Sequence, residues 1–321
     1  MKVYKEELEI FNSIKKSDYP RLDTAQLSKI KDIIKSIREE SSKYKHMLLQ
    51  ATPFIVYFIL LILVLTMVNN IIILSLLHGA LGYFFVVYAL HEGAGHGLFK
   101  RNNLLNNLAF NSSRLFFADP NYYKKIHTKH HRYLGSEQDL AFTHFILLRR
   151  FLKSITPGAG VLFKNDFCVH TDSKLSLSLI KSILIGSCFF GLEFYILKDK
   201  MSSLSICISL LLISPWIGMT LDRLREIAEH HNMAEDRVHG SRELGLRGMM
   251  FFIVGGPAGQ PFHFSHHLAP DLNWYQQIKL HNKLKTILTE DQKYTYGFKK
   301  KQTFNFYKKI ILSLRDRRQY V

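Results

Sequence analysis

The sequence predicts an all-α integral membrane protein with four transmembrane helices and a helical cap on the cytoplasmic side. Three observations predict it: long apolar runs that come in pairs, positive charge placed outside those pairs, and a helical apolar stripe ahead of the first run. The chain has 321 residues, 47% of them hydrophobic, and its apolar residues are bunched rather than scattered as a soluble core would scatter them.

The run Leu48–Val68 has 21 residues without a charge, and Ile71–Leu90 has 20 with His78 as its one hindrance. Each is long enough to cross a hydrocarbon layer about 30 Å thick. The third, Leu177–Leu197, carries Lys181 near one end, where a long side chain reaches the interface, and Glu193 near the other, where an ionisable group costs a few kcal/mol. The fourth, Ser203–Leu221, is uncharged. The expected spans are therefore 48–68, 71–90, 177–197 and 203–221.

Of the +17 net charge, Lys and Arg contribute 11 residues before position 48, 12 in 91–176 and 17 after 221, leaving only Lys181, Lys198 and Lys200 elsewhere. With four spans, both termini and the central loop fall on one side, which the positive-inside rule makes cytoplasmic. The other side receives two short turns, Asn69–Asn70 and Lys198–Ser202. Such a basic surface suits anionic lipid. Nucleic acid is excluded as a partner, because no basic and aromatic stripe or binding motif is present. Cys168, Cys188 and Cys207 have no paired spacing and read as small core residues.

Residues 1–47 read as an amphipathic cytoplasmic segment, with Leu27, Ile30, Ile33, Ile34 and Ile37 at helical spacing, lying on the rest of the protein or on the bilayer. This polar segment is no cleaved secretory signal, so the first span serves as the insertion signal. A membrane unit over 48–290 follows, then a basic cytoplasmic tail over 291–321 that includes Lys299, Lys300 and Lys301.

Eight of the 16 histidines fall in three clusters: HEGAGH at 91–96, HTKHH at 127–131 and HFSHH at 263–267. On a helix, positions i, i+3 and i+4 share a face, so each HxxHH aims three imidazoles into one space. Neutral imidazole suits iron, zinc, copper and nickel, whereas calcium and magnesium want oxygen. The zinc-protease helix needs histidines at i and i+4, and position i+4 from His91 is Gly95. On a regular helix His91 and His96 sit about 140° apart. Either the helix ends there, as Gly93, Gly95 and Gly97 permit, or the two histidines serve different ions. Eight clustered histidines exceed the needs of one ion, which makes a site for two. A ninth comes from DRLREIAEHHN at 222–232, where His230, ahead of His231, projects back among the clusters.

These three boxes, with two spans before the first and two between the second and third, resemble the integral-membrane fatty acid desaturase superfamily over about residues 45–285. AEHHN at 228–232 looks like the family's additional histidine motif, and HFSHHLAPDLNWYQQIKLH at 263–281 like its extended third box. The resemblance implies two non-haem irons, O2 as oxidant and a separate electron donor such as a ferredoxin or a cytochrome b5-like protein. It implies iron ligation by His91, His96, His127, His130, His131, His230, His263, His266 and His267. Glu92, Asp139, Glu229 and Asp271 are then expected to accept from the other ring N–H of ligand histidines. His46, His78, His144, His170, His239 and His281 fit no box and read as structural or interfacial, with His78 needing a partner inside its span.

A site of this kind either removes two hydrogens from a lipid acyl chain or returns a hydroxyl, and the boxes do not choose. Desaturation is the first reading; hydroxylation or ketolation of an alkyl, lipid or carotenoid substrate is the second. Met249–Val254, with Phe116 and Phe117, lines a substrate tunnel, rests on the bilayer or belongs to the core. A membrane metal carrier is the remaining class, but it would place its ligands within the spans, not at their ends. The chain carries no cytochrome b5-like HPGG segment and no cysteine set for an iron–sulfur cluster, so the donor is expected to be separate, steered by the basic face.

Overall fold

The computed structural model describes residues 20–40, 43–97, 103–134, 139, 177–230, 233, 236, 238–244 and 260–298, with the backbone alone at 43–46, 223, 227 and 260. His144, His170, His231, Cys168, the segment Met249–Val254 and Lys299 to Lys301 lie outside the described residues. Among the described residues every regular element is helical.

Helix α1 (Thr24–Glu39) is followed by α2 (Lys43–Met67) and α3 (Ile71–Tyr88), which runs on into a π-helical turn, Ala89–Gly95. Next come α4 (Asn103–Ser112), a 3-10 turn at Ser113–Phe116, and α5 (Pro120–Tyr133). Helix α6 (Leu177–Leu197) precedes α7 (Ser203–Cys207), which continues through a π-helical stretch, Ile208–Ile213, into α8 (Ser214–His230). Three shorter helices close the described chain: α9 (His263–Leu268), α10 (Trp274–Ile287) and α11 (Glu290–Thr295).

Four of these runs are long and apolar enough to cross a membrane: Met47–Met67, Ile71–Gly95, Leu177–Leu197 and Ser203–His230. They match the expected spans in place, but the second and fourth extend beyond them, to Gly95 and His230. Both extensions carry histidines. Most of the exposed large hydrophobic side chains lie on these runs, among them Leu48, Ile55, Met67, Leu184 and Leu204. An outward apolar surface of that size calls for lipid or a partner rather than water.

Small residues and hydroxyls hold the bundle. A Cβ on Gly79 would come within 2.7 Å of the Ser214 carbonyl oxygen, so α3 and α8 cross backbone to backbone. Beside that crossing the Ser75 and Ser209 hydroxyls share a hydrogen bond of 2.8 Å. At the far end Asn70 caps α3 by accepting from Ile72 N and Ile73 N, and Lys200 donates to Leu65 O and Thr66 O. The two short turns therefore sit at one end of the bundle, opposite the histidines.

Glu193, the residue that weakens the third span as a sequence, is paired. His78 Nε2 lies 2.9 Å from Glu193 Oε1, with both side chains 5% exposed. The start of α6 is pinned by Arg114, whose guanidinium donates to Ser178 O and Ser182 Oγ. Phe117, at φ 61°, closes the preceding turn in the left-handed region and lays its ring over Gly186, where a Cβ would be 2.6 Å away. Phe116 packs amid the rings of His78, Phe85 and Phe189, as a core residue does.

The apolar stripe of α1 lies on the protein. Ile30, Ile34 and Ile37 join one buried cluster with Phe264, Leu280, Leu284 and Tyr296. This cluster draws on all three expected segments, since Ile30 precedes residue 48 and Tyr296 follows residue 290. Helix α1 starts at a capping box of Asp23 and Gln26 and is clamped at its other end by Arg38 on Asp271 and Lys279 on Glu40.

Candidate metal centre

All nine expected histidines converge at one end of the bundle, in two groups. His91, His96, His127, His131 and His266 form one, and His130, His230, His263 and His267 the other; within each group one nitrogen from every ring lies within 4.8 Å of all the rest.

HEGAGH reaches its place through a π-turn. Because the turn Ala89–Gly95 closes i→i+5 bonds, residues five apart come round to nearly the same face. The rings of His91 and His96 stand 5.0 Å apart, centroid to centroid. Both therefore enter the five-histidine group, which corrects the α-helical expectation that they point apart. The glycines have separate duties. A Cβ at Gly95 would sit 2.7 Å from His127 Cδ2, one at Gly93 would meet the Ala109 carbonyl oxygen at 3.1 Å, and Gly97 takes φ +66°.

Helix α5 begins at an Asp119 cap followed by Pro120 and carries His127, His130 and His131 at i, i+3 and i+4. It straddles the groups, giving His127 and His131 to one and His130 to the other. Helix α9 does the same, sending His266 to the first and His263 and His267 to the second. His230 arrives from the end of α8, where its ring stands 4.8 Å from that of His130.

Proton accounting tests whether these nitrogens fit a metal. His127 Nε2 lies 2.8 Å from His96 Nε2 and 3.1 Å from His131 Nε2, and His131 Nε2 is also 3.0 Å from His266 Nε2. His263 Nε2 likewise faces His230 Nε2 at 2.9 Å and His267 Nε2 at 3.1 Å. A ring nitrogen has a single in-plane direction, holding either one proton or one lone pair, so it cannot satisfy two such neighbours. A shared cation satisfies all of them. Two nitrogens bound at the roughly 2.0–2.1 Å of a zinc–imidazole bond stand about 2.9–3.4 Å apart, depending on the angle, and the observed separations agree.

The rear nitrogens support the same conclusion. His91 Nδ1 is 2.9 Å from Glu92 Oε1, His130 Nδ1 is 3.0 and 3.1 Å from the two Asp139 oxygens, and His230 Nδ1 donates to Gly240 O at 2.8 Å. Such acceptors hold the proton on Nδ1 and leave the Nε2 lone pair facing inward. His91 Nε2 is buried and has no hydrogen-bond partner among the described residues, as a vacant lone pair aimed at an ion requires. Burial, followed by the neighbouring imidazoles, holds His127, His263, His266 and His267 well below the usual histidine range, so they are neutral at pH 7.

Glu92 and Asp139 thus stand where sequence places them, behind ring nitrogens. Glu229 does not. Its Oε2 accepts from Arg225 at 2.8 Å and lies 3.5 Å from His263 Nε2, the nitrogen that enters the group. Asp271 is 42% exposed and held by two of the Arg38 guanidinium nitrogens, Nε and Nη2, which makes it a surface clamp for α1. Sequence reasoning missed the Gly240 carbonyl, since a backbone acceptor has no residue-type signature. It also missed Gln277, whose buried side chain reaches His266 Nδ1 at 3.1 Å.

A helical chain with four membrane-length apolar runs and two histidine groups gathered at their ends defines a class of membrane-associated protein suited to paired metal ions. The fatty acid desaturase family model matches residues 69–299, which takes in every one of the nine histidines, and the chain belongs to that family. Neither the curated proteins nor the solved structures provide a match.

Proposed function

We propose that this chain is an integral-membrane, O2-dependent oxidoreductase that desaturates a lipid acyl chain at two non-haem irons. The observation that carries the reading is the division of nine histidines, most of them buried, into groups of five and four, inside the matched family region. Bound there, the iron pair supplies an oxidant strong enough to take hydrogen from an unactivated C–H bond. His91, His96, His127, His131 and His266 hold one iron, and His130, His230, His263 and His267 the other. Glu92, Asp139 and Gly240 O fix the tautomers and aim the rings. Glu229, gripped by Arg225, places a carboxylate beside the second group.

Removing two hydrogens from the substrate while reducing O2 to two waters requires two further electrons and two protons. A separate donor, a ferredoxin or a cytochrome b5-like protein, delivers the electrons one at a time at the basic face that also holds both termini, in the cytoplasm, and solvent supplies the protons. Residues 48–290 form the catalytic domain under this reading, with 1–47 packed on it and 291–321 as a basic tail. Expression in an aerated host, followed by mass spectrometry of its lipids, tests the reaction. Acyl chains lacking two hydrogens, absent when His130→Ala is expressed, are expected. Products that gain an oxygen instead would favour hydroxylation or ketolation, and unchanged lipids with freely exchanging zinc would defeat the enzyme reading.

A further inference from the structure

Helix α9 is only six residues long, yet it supplies both histidine groups. Its rotation about its own axis therefore decides which ring enters which group. His263, His266 and His267 share one face, so the opposite face has to hold the setting.

Ser265 lies on that opposite face and is fully buried. Glu243, 2% exposed, accepts from both Ser265 N (3.2 Å) and Ser265 Oγ through a single oxygen, Oε1. The same oxygen lies 3.2 Å from His281 Nδ1 on α10. Glu243 is itself fixed by its backbone: its N–H donates to Tyr296 O at 2.8 Å, and the next N–H, from Leu244, donates to Pro261 O at 2.9 Å. Just upstream, Arg242 and Gly240 reach the end of α8: Arg242 N donates to Glu229 O at 3.1 Å, and Gly240 O accepts from His230 Nδ1 at 2.8 Å. The short segment 240–244 thus joins His230 of α8 to the histidines of α9.

Stability does not explain the carboxylate. Its other oxygen, Oε2, is buried with no hydrogen-bond partner among the described residues, and an unmatched buried acceptor costs free energy. We propose that Glu243 is a positioning residue that sets the rotation of α9, and with it the delivery of His263 and His267 to one metal group and His266 to the other. This rests on the reading of both groups as metal sites.

The test uses the full-length protein in detergent, stripped of metal and titrated with ferrous iron, comparing wild type with Glu243→Ala, Glu243→Gln and Ser265→Ala. Iron affinity, the ferrous Mössbauer spectrum and the unfolding temperature of the metal-free protein are read together. Glu243→Ala is expected to lose about 10–100-fold in iron affinity, the usual cost of removing a group that orients a ligand, with an altered spectrum, alongside a lower metal-free unfolding temperature because Ser265 and His281 lose their buried acceptor. Glu243→Gln keeps an acceptor oxygen for Ser265 and is expected to restore the wild-type spectrum. Wild-type affinity and spectrum in Glu243→Ala, or lower metal-free stability with unchanged affinity, would overturn the proposal. If Glu243→Ala does not fold, Ser265→Ala decides: an altered spectrum supports the proposal and a wild-type one refutes it. A wild-type chain that binds no iron removes the metal reading as well, which separates that failure from the failure of this inference.

Discussion

Gly95 shows how closely single atoms are placed around the histidines. A methyl group there would stand 2.7 Å from His127 Cδ2, and that ring is held from behind by stacking on Tyr123 at 5.1 Å. Displacing a ligand by an ångström is enough to cost about 100-fold in rate. Gly95→Ala is accordingly expected to lose about two orders of magnitude of turnover and to bind less than two irons, measured by metal analysis of the purified protein; full iron and activity would contradict the placement. The ligand candidates were legible in sequence because clustered histidines at helical spacing are rare and chemically specific. The π-turn that brings His96 beside His91 was not, because an i→i+5 turn and an i→i+4 turn have no distinct residue pattern. Asp271 misled for a related reason: its nearness to the third box in sequence says nothing of Arg38, which lies 233 positions away.

At the level of elements, two interactions of different strength hold the helices together. The His78–Glu193 pair joins α3 to α6 with both side chains 5% exposed, and removing one partner leaves a buried polar or charged group without compensation. His78→Leu should cost about 3–5 kcal/mol, and the double variant His78→Leu/Glu193→Leu should recover most of it. Thermal unfolding in detergent measures both, and equal loss in the single and double variants would contradict the pairing. Helix α1 separates apolar from ionic contributions. Ile34→Ala should cost about 2–5 kcal/mol, because Ile34 is 7% exposed in a packed cluster. Arg38→Ala should cost less than about 1 kcal/mol, because the Arg38–Asp271 pair is half exposed. Comparable losses in the two would show that the clamp, not the apolar stripe, docks α1. The periodicity that predicts α1 is visible in sequence, but its target is not: an apolar face fits protein or lipid equally until Phe264 and Leu280 are brought beneath it.

For the whole molecule, the sequence assigns positive charge to one side of the four spans and leaves the other nearly bare. All Lys and Arg except Lys181, Lys198 and Lys200 lie in the segments assigned to the cytoplasm, and Lys200 is engaged by the α2 carbonyls. In intact cells Asp199→Cys is expected to react with a membrane-impermeant thiol reagent, whereas Lys31→Cys should react only after permeabilisation; the reverse pattern would invert the topology. Span positions were readable because hydrocarbon thickness dictates apolar length. The extensions to Gly95 and His230 were not, because the chain turns polar there while the helices run on to carry their histidines. The central claim, that nine histidines from four separate parts of the chain hold two irons, is tested most directly by counting iron in the purified protein while deleting histidines from one group. The account predicts two irons per chain in the wild type and one in His263→Ala/His267→Ala, with the five-histidine site retained. Two irons in that variant, or a wild type that holds only one, would contradict it.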